Sequence, residues 1–338
     1  MTMREPIGDR RTYGQILRST VLIGGSSLVN VILGMLRAKA FAILLGPGGV
    51  GLMGLYSTVV DLLQNLAGLG VQSSGVRQIA QAASTGDEVR MAHTVIVLRG
   101  LTLVLAVGGA CILAAMSYPI AQITIGDHAH ASAIAFLGLA VFFRLLSGSQ
   151  AALIQGLRRV SELARLGILG TFLGTIATIP IIYVLGERGI VPALVVMAAA
   201  SAFASWWYAR RIEIVECDPS SLETRREVTG LLRLGFAFMA SGLLTIGAAY
   251  GVRILVVHYE GLEEAGFYQA AWTLGGLYAG FILQAMGADF YPRLTGVAND
   301  RDVCNRLVNE QAEISILLAG PGLLATLTFA PLVMTLFY

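Results

Sequence analysis

The amino-acid sequence predicts an all-α integral membrane protein with about nine transmembrane helices, and three observations carry that reading. The first is composition: 56% of the 338 residues are hydrophobic and 13% charged, with a mean hydropathy of +0.73. A soluble domain carries about 25% charged residues because water must wet its surface, so most of this surface faces something else. The second is a series of nine mostly apolar windows: 20–45, 49–69, 95–118, 131–155, 163–185, 190–208, 233–257, 265–288 and 312–336. Each is near the roughly 20 residues that a spanning helix needs. The windows are continuous and rich in Leu, Ala and Gly, unlike the alternating strands of a membrane barrel.

The third observation is the order of the charges. Basic residues cluster in the N-terminal lead (Arg4, Arg10, Arg11, Arg18) and in the later even-numbered connections. These hold Arg77, Arg90 and Arg99; Arg158, Arg159 and Arg165; Arg210, Arg211, Arg225, Arg226 and Arg233; and Arg293, Arg301 and Arg306. Of the 23 basic residues, the odd-numbered connections hold Arg188 alone. Because basic connections mark the cytoplasmic side, the N-terminus is expected inside. The apolar stretch after the lead is too long for the h-region of a cleavable signal peptide, so it reads as a span that stays.

Six windows precede a polar connection at 209–232, which carries Glu213, Glu216, Asp218, Glu223 and Glu227 and reads as a solvated cytoplasmic linker. This divides the chain into an N-terminal six-helix bundle at 1–208, the linker, and three helices of a second bundle at 233–338. A shift of about 215 residues pairs Arg18 with Arg233, and Gly51 with Gly266. The same shift brings Arg37 within one place of Arg253, and Arg77 within one of Arg293. Membrane transporters are often built from such repeats, and a parallel twofold repeat is the expectation. It implies six plus six spans in the complete protein, of which this chain holds six plus three.

The run RAKAFAILLGPGGVGLMGLYSTVVDLLQNLAGLGVQSSGVRQIA at 37–80 resembles the first two spans of bacterial polysaccharide flippases. These are the O-antigen and enterobacterial common antigen (Wzx-like) translocases of the multidrug/oligosaccharidyl-lipid/polysaccharide exporter superfamily. LLGPGGVGL at 44–52 is the most family-like stretch, and DFYPRLT at 289–295 resembles the corresponding second-half region. The resemblance implies two helical bundles around a central cavity, with alternating access and no cofactor. It implies an undecaprenyl-pyrophosphate-linked oligosaccharide as substrate and the bacterial inner membrane as location. Membrane lipids are implied as partners, with a polysaccharide polymerase and chain-length machinery.

Ionisable groups at bilayer depth are costly and usually face a cavity or a partner. In span one, Ser26, Asn30 and Arg37 share a narrow arc, and Lys39 follows two residues on. Arg37 and Lys39 either snorkel to the outer headgroups or meet a substrate phosphate as cavity cations. Arg144 lies near the middle of span four, too deep to snorkel, with Ser147, Ala151 and Gln155 continuing its face. Arg253 is the repeat equivalent of Arg37. In span two, Ser57, Asp61, Gln64 and Asn65 share one face. Asp61 is expected to pair with Arg37 or Arg144, or to bind a coupling cation. The cavity cations are therefore Arg37, Lys39, Arg144 and Arg253, and the polar face is Ser26, Asn30, Asp61, Gln64 and Asn65. Four cations against one acid suit an anionic group such as pyrophosphate better than a cationic drug.

Several functions are excluded or set behind. A net charge of +2 gives no reason to expect nucleic-acid binding. Cys111, Cys217 and Cys304 form no ligand pattern, and His128 with His130 lacks a third metal ligand. No phosphate-cradling loop is present for ATP. The alternatives kept open are a flippase for the peptidoglycan precursor lipid, then a multidrug exporter. A membrane polysaccharide polymerase or ligase comes last, because the outer connections are too short for the large acidic or basic loop expected of such an enzyme.

Overall fold

The structure is a computed structural model that describes residues 9–126, 128–157, 159–214, 221–273, 275–276 and 301–332. Among the described residues its regular structure is all helical, without strands. The helices are α1 (Asp9–Gly68), α2 (Val71–Thr85), α3 (Glu88–Ala115), α4 (Ser117–Thr124) and α5 (Ala131–Gly156). They continue with α6 (Val160–Leu185), α7 (Ile190–Ala209), α8 (Ser221–Glu260), α9 (262–273) and α10 (Arg301–Thr328). Five stretches are long and apolar enough to cross a membrane, and each of the first seven windows overlaps one of them. The eighth window begins in α9 and continues beyond the described residues, while the ninth is helical from its start to Thr328.

The chain has two compact units, residues 1–265 and 266–338. In the second unit, Gln269 donates to the Thr273 hydroxyl at 3.1 Å, and the rings of Tyr268 and Trp272 lie 6.0 Å apart.

A straight 60-residue helix would be about 90 Å long, three times the bilayer core of ~30 Å. α1 avoids this through Gly46, whose φ of 67° and ψ of −178° break the helix just before Pro47. Its neighbours reveal the reversal. Asn30 lies against Gly167, and Phe41 packs with Ile182, so the first half runs alongside α6 in the same direction. Tyr56 meets His130, Asp61 meets Arg144, and Gly68 touches Leu145, so the second half runs with α5. α5 and α6 are consecutive spans joined at 157–159 and cross in opposite directions. The chain therefore turns back at Gly46, and α1 holds spans one and two.

Two helices lie in segments read from the sequence as connections. α2 is too short and polar to span, yet it buries Val71, Ser74, Ile79 and Ala82 on one face and exposes Gln72, Ser73, Arg77 and Gln81. Its buried face joins Val95 and Leu98 of α3, Leu153 and Ile154 of α5, and Leu231 of α8. α4 occupies the connection at 119–130 and buries Ala121 and Thr124 completely. The later part of the polar segment 209–232 is the start of α8, which begins at Ser221.

A second cluster joins Tyr56, Val59, Leu113, Ile134, Leu137, Val141, Ile190 and Leu194 from α1, α3, α5 and α7. Large apolar side chains also lie on the outside: Val104, Phe136, Tyr183, Val184 and Leu244 are each more than 60% exposed. Burying such surface drives soluble folding; here the bilayer covers it. The protein is a multi-pass membrane protein.

Candidate functional site

Inside the first unit, α1, α2, α3, α5 and α8 line an open cavity of about 330 Å³. Its polar wall comes from Asp61, Gln64 and Asn65 of α1, Gln72 and Ser73 of α2, Thr102 of α3 and Ser149 of α5. Leu105, Leu145, Phe238 and Ile246 supply apolar surface. The face shared by Asp61, Gln64 and Asn65 thus meets a common space because positions i, i+3 and i+4 align on a helix.

Arg144 stands behind this wall. Its Nη1 forms an ion pair with Asp61 Oδ1 and lies 3.4 Å from Gln64 Oε1. The guanidinium therefore reaches the cavity through Asp61. The Arg144 side chain is 33% exposed and that of Asp61 44%. Of the residues continuing the Arg144 face, Ser147 turns to α7 and donates to the Ser201 carbonyl at 3.2 Å. Ser149, two residues further, faces the cavity instead.

The other expected cations lie elsewhere. Arg253 donates to the Thr58 hydroxyl, which itself donates to the Gly54 carbonyl at 2.8 Å. Arg37 is half-buried on the first half of α1, as is Lys39. Neither lines the cavity, and Arg37 forms no hydrogen bond or ion pair with a described residue. Ser26 is buried; Asn30 packs against Gly167, with its Oδ1 buried and unpartnered among the described residues. Within span one's polar arc, Asn30 thus faces α6. His130, one half of the His-x-His pair, accepts from or donates to Tyr56 Oη at 2.8 Å through Nδ1.

The second half of α1 and α8 run antiparallel: Gly242 lies against Asn65, Arg253 against Thr58, and Val257 against Leu55. Two groups of contacts flank the cavity along this seam. On one side Arg253 meets Thr58, and Tyr250 Oη lies 2.5 Å from the Thr124 hydroxyl. On the other, the backbone of Gly70 approaches Gly235 so closely that a Cβ on Gly70 would sit 2.0 Å from the Gly235 oxygen. Beyond that point Arg90 pairs with Glu227 at 3.8 Å.

Gln72, Ser73, Thr102, Ser149 and Phe238 were not legible as cavity residues. The first two lie on α2, which lacks a spanning window; Val71, Ile79 and Ala82 at helical spacing were the available signal. Thr102, Ser149 and Phe238 look like ordinary span residues until a fold sets them opposite Asp61.

The sequence pattern of the polysaccharide biosynthesis protein family matches residues 16–297. The chain belongs to this family. Its relatives include the Lipid III flippase of Escherichia coli (strain K12), 23% identical over 302 residues that cover 87% of this chain and 70% of that protein. The Lipid III flippase of Shigella flexneri matches to the same extent. Among solved structures, an inward-facing multidrug resistance MATE family transporter of the MOP superfamily superposes with a TM-score of 0.69 at 20% identity. That match covers 92% of this chain and 75% of the transporter. A MOP superfamily transporter from Pyrococcus furiosus gives 0.69 at 18% identity, covering 94% and 73%. This member of the polysaccharide biosynthesis protein family therefore has the MOP transporter fold. The relatives named are flippases and transporters, not enzymes.

Proposed function

We propose that this protein flips an undecaprenyl-pyrophosphate-linked oligosaccharide from the cytoplasmic to the outer leaflet of the bacterial plasma membrane. The observation that carries the reading is the polar cavity, built around Asp61 and backed by Arg144, inside an otherwise apolar bundle of a polysaccharide biosynthesis protein. Its chemistry suits a glycan. Gln64, Asn65 and Gln72 each offer donors and an acceptor, Ser73, Thr102 and Ser149 offer hydroxyls, and Asp61 accepts from sugar hydroxyls. Phe238 supplies an apolar face. Arg144 is a planar donor fork for phosphate oxygens, held in reserve by Asp61 until an anion competes for it.

Arg37, Lys39 and Arg253 contribute at the periphery of this path. Arg37→Ala and Arg253→Ala should each lower surface-glycan export by roughly two- to fivefold, under ~1 kcal/mol of barrier. Export is measured in cells at matched protein levels, and unchanged export from both removes their part in the path. If loss of the protein causes lysis with surface glycan intact, the substrate is the peptidoglycan precursor lipid instead.

The same proposal places the N-terminus in the cytoplasm, from the charge order of the connections. Reporter fusions at Asp127 and Glu223 should read outside and inside respectively. The reverse pattern would overturn the direction of transport.

A further inference from the structure

At the end of the bundle where α5 and α7 begin, a groove of about 650 Å³ lies apart from the polar cavity. Leu52 and Tyr56 form its floor, Phe136 and Leu139 line it from α5, and Val191 and Val195 from α7. Glu187 and Arg188 stand at its mouth, with Ser132 beside them. Both charged side chains are exposed, and neither forms a hydrogen bond or ion pair with a described residue.

The position of this mouth is fixed by the chain itself. Gly186–Gly189 is a four-residue turn between two spans, so it lies at a bilayer surface. From there the apolar shaft runs inward as far as Leu139, eight residues into α5, or about 12 Å at 1.5 Å per residue. Half of the hydrocarbon core is ~15 Å, so the shaft has the depth of one leaflet. A charged mouth at the headgroup level above an apolar shaft one leaflet deep is the outline of a lipid. Arg188 suits a phosphate, and its neighbour Glu187 suits an ammonium within the same headgroup.

We infer that this groove seats one zwitterionic glycerophospholipid, with phosphate at Arg188, ammonium at Glu187 and an acyl chain along Phe136, Leu139 and Val195. The site is separate from the transport cavity and does not depend on the flippase reading. A volume of this size lies within the range of small-molecule sites.

The test is native mass spectrometry of the full-length protein with phosphatidylethanolamine and phosphatidylglycerol supplied equally. The unaltered protein should retain one phosphatidylethanolamine with a preference of about tenfold over phosphatidylglycerol. Arg188→Ala should lose the retained lipid, and Glu187→Gln should keep a lipid but lose the preference. Val195→Trp should fill the shaft and exclude both lipids; if it fails to fold, the two turn variants still decide. Equal retention of the two lipids by the unaltered protein overturns the headgroup assignment. Retention unchanged in all the folded variants overturns the groove. Displacement of the phospholipid by undecaprenyl phosphate would make this a carrier-lipid site and overturn the inference as well.

Discussion

Arg144→Ala should reduce glycan export by on the order of tenfold or more, equivalent to ~1.4 kcal/mol or more on the transport barrier. A guanidinium near the bilayer centre costs at least ~2.5–3.5 kcal/mol even on lenient insertion scales. Here it is held by Asp61 and lies within reach of Gln64. An incoming pyrophosphate would compete with one carboxylate for that fork, in a partly dehydrated site where charge-assisted bonds are stronger than in bulk water. Arg144→Lys keeps the charge but loses the bidentate fork, and should recover part of the export.

A purely structural ion pair gives a different pattern, and a double variant separates the two. Breaking an ion pair inside a helical bundle leaves an uncompensated charge, whereas replacing both partners with neutral groups is often tolerated. Asp61→Asn combined with Arg144→Gln should therefore restore normal protein levels and thermal stability. If Arg144 and Asp61 handle the substrate, export in the double variant remains lost. Recovery of export to the unaltered level would assign the arginine to structure alone.

The membrane class and the first seven spans were legible because apolar length and charge order act over tens of residues and need no tertiary contact. The reversal at Gly46 was legible as well, since LLGPGG interrupts an apolar run too long to cross once. α2 was not, because its helical face depends on burial against Leu98, Leu153 and Leu231, which come from three other helices. The site was readable in one dimension only. Helical spacing put Asp61, Gln64 and Asn65 on one face, and depth marked Arg144 as needing a partner. Nothing in spacing indicated that Asp61 would stand on the cavity wall with Arg144 behind it. Nor did it indicate that Arg253 would spend a donor on Thr58, since such choices depend on how α5 and α8 rotate against α1.

Gly235→Leu should disable the transporter by forcing α8 away from the junction of α1 and α2. At this crossing Leu69 and Gly70 both take left-handed backbone, with φ of 46° and 63°. A Cβ on Gly235 would lie 2.4 Å from the Leu69 oxygen, 3.0 Å from the Gly70 carbonyl carbon and 3.2 Å from the Val71 nitrogen. All three are backbone atoms, so no side chain can swing aside to relieve the clash. Overpacking of a well-filled core costs about 1–3 kcal/mol even where side chains can adjust, and small residues at helix crossings in membranes permit this kind of backbone approach. Gly242→Ala tests the reasoning, because its Cβ would meet the Asn65 side-chain nitrogen, the movable end of a side chain. Gly247→Ala has nothing within 4 Å and should behave as the unaltered protein. The order of export is therefore expected to be Gly247→Ala, Gly242→Ala, Gly235→Leu, from normal to lost. With Cys111, Cys217 and Cys304 replaced, spin labels at Gln81 on α2 and Arg226 on α8 report the seam directly. Their separation should lengthen in Gly235→Leu and stay unchanged in Gly247→Ala. An unchanged distance together with normal export in Gly235→Leu would mean that this backbone contact does not hold the two helices together.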